Sequence, residues 1–218
     1  MSMSRIQKFT EFGRKILAVG RNYSDHAKEL GNTVPDTPLL FLKPMSACIL
    51  EGEAIEIPKG CIDFQHEIEL AVIIGKKCRQ VPASEAMSYV GGYALALDMT
   101  ARDFQREASK KGQPWALAKC IDTSCPVSQF IDPSVISDPH NLELVCKVNG
   151  EIKQKGNTKD MVFRIPELLS YISEYFTLEE GDMVLTGTPA GVGPVVAGDV
   201  IECSLSDIIT CKFNVKAR

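Results

Sequence analysis

The chain has 218 residues, 44% of them hydrophobic, and a formal net charge of −4. That length and apolar content fit one large folded domain and exclude a disordered chain. The slight acidity and the lack of a long basic run argue against a nucleic-acid partner. No apolar stretch reaches the ~20 residues that a membrane helix needs.

The opening MSMSRIQKFTEFGRK sets Arg5, Lys8, Arg14 and Lys15 against one acid, Glu11. This composition has the flavour of a mitochondrial presequence. No alanine- or leucine-rich amphipathic face accompanies it, so a frayed terminus over residues 1–15 is the competing expectation. Further on, apolar runs bounded by Gly, Pro and Asp recur: KILAVG, PLLFLKP, EIELAVIIG, YALALDM, LELVCKVNG, GDMVLTG and DVIECSL. Their length and aliphatic content predict strands. Asn149-Gly150 between two alternating segments predicts a hairpin. Helices are expected over Ser24–Leu30, stopped by Gly31, and over Ile165–Tyr175, with Pro166 in the first turn. A further helix is expected from Thr100 to Lys110, with Thr100 and Asp103 at N-cap and N3 spacing. Many strands, few helices and no Pro/Gly-rich linker predict a single α+β domain over residues 1–218 with a β-rich core.

The eight cysteines, Cys48, Cys61, Cys78, Cys120, Cys125, Cys146, Cys203 and Cys211, are scattered. They form no CxxC pair, and no histidine stands at finger-like spacing, so a zinc module is not expected. They read as free thiols packed as small hydrophobes in a reducing compartment.

Three carboxylates sit where a strand normally sheds charge. In DFQHEIELAVIIG, alternation puts Gln65, Glu67, Glu69, Ala71 and Ile73 on one face. The two glutamates are neighbours, and nothing adjacent on their face is basic. A solvated strand face would explain them, but the same face turns apolar at Ala71 and Ile73. Asp98 closes a second apolar strand, behind Ala94 and Ala96. Three acids at strand ends suit a hard cation such as Mg²⁺, Mn²⁺ or Ca²⁺. In GRNYSDHAKELG, His26 and Glu29 lie three apart on one helix face, as a general base and its orienting acid would, or as an incidental surface pair. Lys119 ends the apolar run that begins at Trp115; it either snorkels or offers charge to a buried oxyanion. TGTPAGVGP reads as a glycine-rich turn without the Lys-Ser/Thr of a nucleotide loop.

In their order, GRNYSDH, FLKP, FQHEIELAVIIG, GGYALALDMTARDFQ, WALAKCIDTSCPVS and LEEGDMVLTGTPAGVGP resemble the fumarylacetoacetate hydrolase superfamily, from about Ile16 onward. The likeness is to its short, acylpyruvase-type members. It implies a mixed-sheet roll or sandwich with a short lid helix, and a homodimer. It implies Mg²⁺, or Mn²⁺, on Glu67, Glu69 and Asp98. It places His26, Glu29 and Lys119 in catalysis, and Arg102, Gln105 and Thr188 on a small 2-oxoacid substrate. The reactions implied are hydrolysis of 3-acylpyruvates and decarboxylation of oxaloacetate, with keto–enol tautomerisation of oxaloacetate as the alternative. Relatives of this type are mitochondrial, some also cytosolic. One departure stands out: where many members carry Ser after the active-site Lys, this chain has Cys120. His66 is given no catalytic role.

Overall fold

A computed structural model describes residues 4–29, 31 and 33–218. The strands of its two large sheets are, in chain order, β1 (Ile16–Gly20), β2 (Leu39–Lys43), β3 (Ala54–Ile57), β4 (Ile68–Ile74), β5 (Val90–Leu97), β6 (Glu143–Val148), β7 (Glu151–Asn157), β8 (Met183–Leu185), β9 (Val200–Leu205) and β10 (Ile209–Ala217). The first sheet is ordered β2-β1-β8-β4-β5 and the second β7-β6-β9-β10-β3. Each is antiparallel except for one parallel pair, β1 with β8 and β10 with β3. A small third sheet joins Gly193–Pro194, Phe64–His66 and Thr100–Ala101. The helices used below are α1 (Ser24–Glu29), α2 (Arg102–Lys110), α3 (Ala116–Lys119) and α4 (Ile165–Tyr175). Each of the apolar runs quoted above contributes a strand, and the architecture is the expected α+β sandwich of mixed sheets. Among the described residues no helix is long and apolar enough to cross a membrane.

Strand β4 explains the layering. Every one of its residues is buried, because both faces are covered. Ile68, Leu70, Val72 and Ile74 share the large core with Leu144, Ile201, Leu205 and Phe213 of the second sheet and with Leu168, Leu169 and Ile172 of α4. Each such side chain contributes roughly 1.5–3 kcal/mol on burial. Ala71 and Ile73 point the other way, into a smaller core with Ile16, Ala18, Ala94, Ala96 and Phe9. Register sets Ala71 against Ala94 and Glu69 against Ala96. These small side chains leave room on that face, and the acids occupy it.

The hairpin between β6 and β7 turns at Asn149 (φ 52°) and Gly150 (φ 83°), the left-handed pair a two-residue turn requires. Helix α1 ends at Glu29, and Gly31 (φ 68°) returns its N–H to the Lys28 carbonyl as expected of a stop; the expected Leu30 end lies outside the described residues. Two expectations need correction. Residues Arg5–Phe12 are not frayed: they form a 3-10 turn and a helical turn, with Phe9 buried in the smaller core. Helix α2 starts at Arg102, not Thr100. Thr100 is held in the small sheet opposite Gln65. Asp103 turns away to accept from the Ile62 N–H and the Cys61 thiol, so no capping box forms. All eight cysteines are free, and Cys78, Cys125, Cys146, Cys203 and Cys211 are buried.

Candidate active site

A cavity of about 580 Å³ opens where the small sheet, the C-terminal end of β5 and helices α1, α2 and α3 meet. His26, Glu29, Glu67, Glu69, Asp98, Arg102, Gln105, Lys119 and Thr188 all line it. Sequence distances of up to 162 residues are closed to bring them together.

The acids lie at its floor. Glu67 occupies the break between Phe64–His66 and β4, its carbonyl accepting from the Asp98 N–H at 2.8 Å. That bond places the end of β5 beside the break. Glu67, Glu69 and Asp98 are 5%, 2% and 0% exposed, which overturns the solvated-face reading. Each offers an oxygen within 4.8 Å of the others'. The bases missing along the strand come from elsewhere. Lys119 Nζ reaches Glu67 at 2.9 Å and Asp98 at 2.6 Å. Lys43 Nζ, wholly buried, reaches Asp98 at 2.8 Å. Arg102 donates to Glu67.

Glu69 is the exception. Its one hydrogen bond among the described residues comes from the Gly187 N–H, at 2.6 Å, and no cation pairs with it. Burial, then the charges of Asp98 and Glu67, push its carboxyl well above the usual range. Burial also works to raise Glu67, but the Lys119 and Arg102 charges overcome it and hold that carboxyl well below the usual range. Burial opposes the charge on Lys119, yet Asp98 and Glu67 outweigh it and raise its pKa. The donor set is therefore buried and all oxygen, and its one member without a cation in contact among the described residues is Glu69. That fits a hard divalent cation, which Glu67, Glu69 and Asp98 would hold.

Above the floor, His26 Nδ1 lies 3.2 Å from Glu29 Oε2. His26 is 4% exposed, so the pair is not an incidental surface contact. Glu29 also accepts from the Gly191 N–H at 3.0 Å, which ties α1 to the loop of residues 186–194. With Nδ1 committed to Glu29, Nε2 is left as the basic ring atom.

Arg102 is fixed by three partners: Gln65 Oε1 at 2.9 Å, Gln105 Oε1, and Glu67. A guanidinium has five N–H donors, so two remain for a ligand, and the Gln105 amide N–H₂ is also free to donate. The Thr188 hydroxyl is fully directed, donating to the Ile68 carbonyl at 2.7 Å and accepting from Gln154 at 2.8 Å; its spare lone pair can only accept. Lys119 does not snorkel: it is 2% exposed and 4.8 Å above the Phe41 ring. Cys120 donates its thiol to the Leu42 carbonyl at 2.9 Å, outside the cavity lining.

Lys43 and Gln154 were missed from sequence. Lys43 ends the apolar run PLLFLK just as Lys119 ends its own, and that shared pattern was the available signal. Gln154 carried none. Its oxygen accepts from His66 Nδ1 at 2.9 Å and the Ile68 N–H at 3.0 Å, and its amide donates to Thr188 and to the Pro189 carbonyl, both at 2.8 Å. Fully satisfied and buried, it locks the strand break at Glu67 to the loop that serves Glu69 and Glu29. His66 is thus structural; burial opposes its charge, but the Cys146 thiol, Gln154 and Glu67 prevail and raise its pKa. The loop approaches β7 so closely that a Cβ on Gly191 would lie 2.1 Å from the Lys153 carbonyl oxygen, which only glycine permits.

A β-rich sandwich with a buried trio of oxygen donors that could hold a metal, and a His–Glu pair above it, has the architecture of an enzyme site. The chain belongs to the family described as fumarylacetoacetate (FAA) hydrolase C-terminal, whose model matches residues 15–216. It is 53% identical over 214 residues to the oxaloacetate tautomerase fahd-1, mitochondrial, of Caenorhabditis elegans, covering 98% of this chain and 100% of that protein. It is 54% identical over 215 residues to the oxaloacetate decarboxylase, mitochondrial, of Dictyostelium discoideum, covering 98% and 99%. Among solved structures, fumarylpyruvate hydrolase from Pseudomonas aeruginosa in complex with Mn²⁺ and pyruvate superposes with a TM-score of 0.89 at 33% identity, over 94% of this chain and 91% of that one.

Proposed function

We propose that this protein is a divalent-cation-dependent enzyme that interconverts the keto and enol forms of oxaloacetate and, from the keto form, releases CO₂ to leave the enolate of pyruvate, which takes a proton at C3 to give pyruvate. The observation that carries this is the juxtaposition, in one cavity, of the buried Glu67–Glu69–Asp98 trio, whose Glu69 has no cationic partner among the described residues, and the His26–Glu29 pair. The names of the curated relatives support the choice of substrate and put tautomerisation ahead of hydrolysis.

A cation on the trio, Mg²⁺ or Mn²⁺, would supply Lewis-acid polarisation of the substrate's 2-oxo group. The remaining work falls to side chains. The free N–H groups of Arg102 and Gln105 hold the C1 carboxylate. Lys119 offers its positive charge to oxygen as negative charge develops there. His26 Nε2 moves the proton at C3, and Glu29 fixes the ring so that this nitrogen stays basic. Loss of the C4 carboxylate from the same bound geometry gives decarboxylation with no further base.

Hydrolysis of 3-acylpyruvates, placed first by the resemblance, is a second reading. It is favoured by the fumarylpyruvate hydrolase solved with Mn²⁺ and pyruvate. There His26 would take its proton from water. We also propose a mitochondrial location, on the names of the relatives, and assembly as a homodimer, which light scattering tests directly. For the activity itself, metal-stripped protein is mixed with enol-oxaloacetate, with and without Mg²⁺ or Mn²⁺. Metal-dependent decay of the enol is expected. Pyruvate from acetylpyruvate with no effect on enol-oxaloacetate would favour the hydrolase instead.

A further inference from the structure

Two basic residues that line the cavity have no partner among the described residues: Lys110, exposed at the end of α2, and Arg21. Arg21 is half-buried and lines the cavity, but makes no hydrogen bond or ion pair with the described residues. The other cavity bases near the floor are spoken for: Lys119 and Arg102 by the acids, Arg106 by Asp63 at 2.8 Å. The nearby carboxylate, Glu29, is turned to His26 and Gly191.

The backbone sharpens the point. Arg21 has φ 60°, a left-handed conformation that glycine holds without strain and arginine does not. The turn is imposed from both sides. β1 ends at Gly20, and buried Asn22 is knotted by bonds to Phe163 N–H and carbonyl and to the Thr186 carbonyl, at 2.7, 3.0 and 2.8 Å. The fold thus places here a residue that gains nothing from its neighbours and strains its own backbone. Strain kept without a structural return points to a ligand. Arg21 and Leu39 line both this cavity and a second hollow bounded by Leu40, Tyr171 and Tyr175.

We propose that Arg21 is the specificity residue of the site, receiving the C4 carboxylate of oxaloacetate, the charge that the floor leaves without a partner. This rests on the oxaloacetate reading. Planar, bidentate pairing with carboxylate is what a guanidinium offers and an ammonium does not.

The test compares oxaloacetate with its 4-methyl ester, which keeps the C1 carboxylate and is uncharged at C4, both followed as enol decay in Mg²⁺. Wild type should prefer the diacid by about 10- to 100-fold in kcat/KM, mostly through KM, as for a charged hydrogen-bonded pair. Arg21→Gly should reduce that preference to about twofold or less. It should do so without lowering Tm, since glycine suits the turn. Arg21→Lys should restore part of the preference, and Lys147→Ala, a control exposed on β6 outside the cavity, should keep all of it. An Arg21→Gly enzyme that retains the full preference, or that loses both substrates equally, overturns the proposal. A wild type that accelerates neither substrate overturns the oxaloacetate reading beneath it and this proposal with it.

Discussion

Asp182 and Glu69 are both buried carboxylates on the central sheet's flank, and they are treated in opposite ways. Asp182, 0% exposed, accepts from the backbone N–H groups of Arg14, Lys15 and Glu179 at 2.9, 3.1 and 2.9 Å and pairs with the Lys15 ammonium. Every lone pair has its donor, and the acid pins the N-terminal segment to the start of β8. Glu69 has one backbone donor, two acidic neighbours and no cation. Burial of an acid is therefore not the mark of a site; unmet demand for positive charge is.

The contrast yields a crossed pair of variants. Glu69→Gln should abolish metal-stimulated turnover, a loss on the order of 10³-fold or more. It should leave the Tm of metal-free protein unchanged or higher, because a neutral amide replaces a buried acid whose ionisation burial and the neighbouring carboxylates oppose. Asp182→Ala should do the reverse. Removing one partner of a buried pair costs about 3–5 kcal/mol, a fall in Tm of roughly 10 °C for a chain of this size, with the Mg²⁺ affinity of the folded protein intact. Calorimetric melts and Mg²⁺ titration of both variants decide it, and a shared phenotype would erase the distinction.

A smaller effect divides the reactions. His26→Ala should lower acylpyruvate hydrolysis by about 10²-fold or more, as loss of a general base does. Decarboxylation of oxaloacetate, which needs no proton removed from water, should fall far less. Equal losses would assign His26 to a step common to both.

The smallest effect is in pH. Glu69 is held protonated above the ordinary carboxylate range in the metal-free fold. Its contribution to stability is therefore fully present below the unfolded pKa and is lost as pH rises through the folded one. A cation needs the ionised form and must displace that proton. Mg²⁺ affinity should thus rise with pH across this window, by at most about tenfold per unit. Titrations in buffers of different ionisation enthalpy should show a proton released per ion. A pH-independent affinity would contradict the raised Glu69 pKa.

What the sequence disclosed was local. Alternation in β4 separated Glu69, Ala71 and Ile73 from Ile68, Leu70, Val72 and Ile74, and those faces do enter different cores. The motifs of the family resemblance named residues that meet in one cavity. What stayed hidden depends on the tertiary fold. Lys43 answers Asp98 across 55 residues, and Gln154 reaches His66 across 88. Neither partner is visible from a strand pattern. The capping expectation at Thr100 failed for a related reason: a local propensity lost to a strand pairing with Gln65 and to the bond from Lys119. β10 was passed over although Cys211, Phe213 and Val215 alternate with exposed Thr210, Lys212 and Asn214.

The central claim is that the buried acids exist to hold a cation for enolisation of a 2-oxoacid. Stopped-flow decay of enol-oxaloacetate, with metal-stripped wild type and Glu69→Gln each titrated with Mg²⁺, tests it most directly. The account predicts saturable, Mg²⁺-dependent acceleration by wild type and none by the variant. Acceleration by wild type without any divalent ion, or equal Mg²⁺-dependent acceleration by Glu69→Gln, would contradict it.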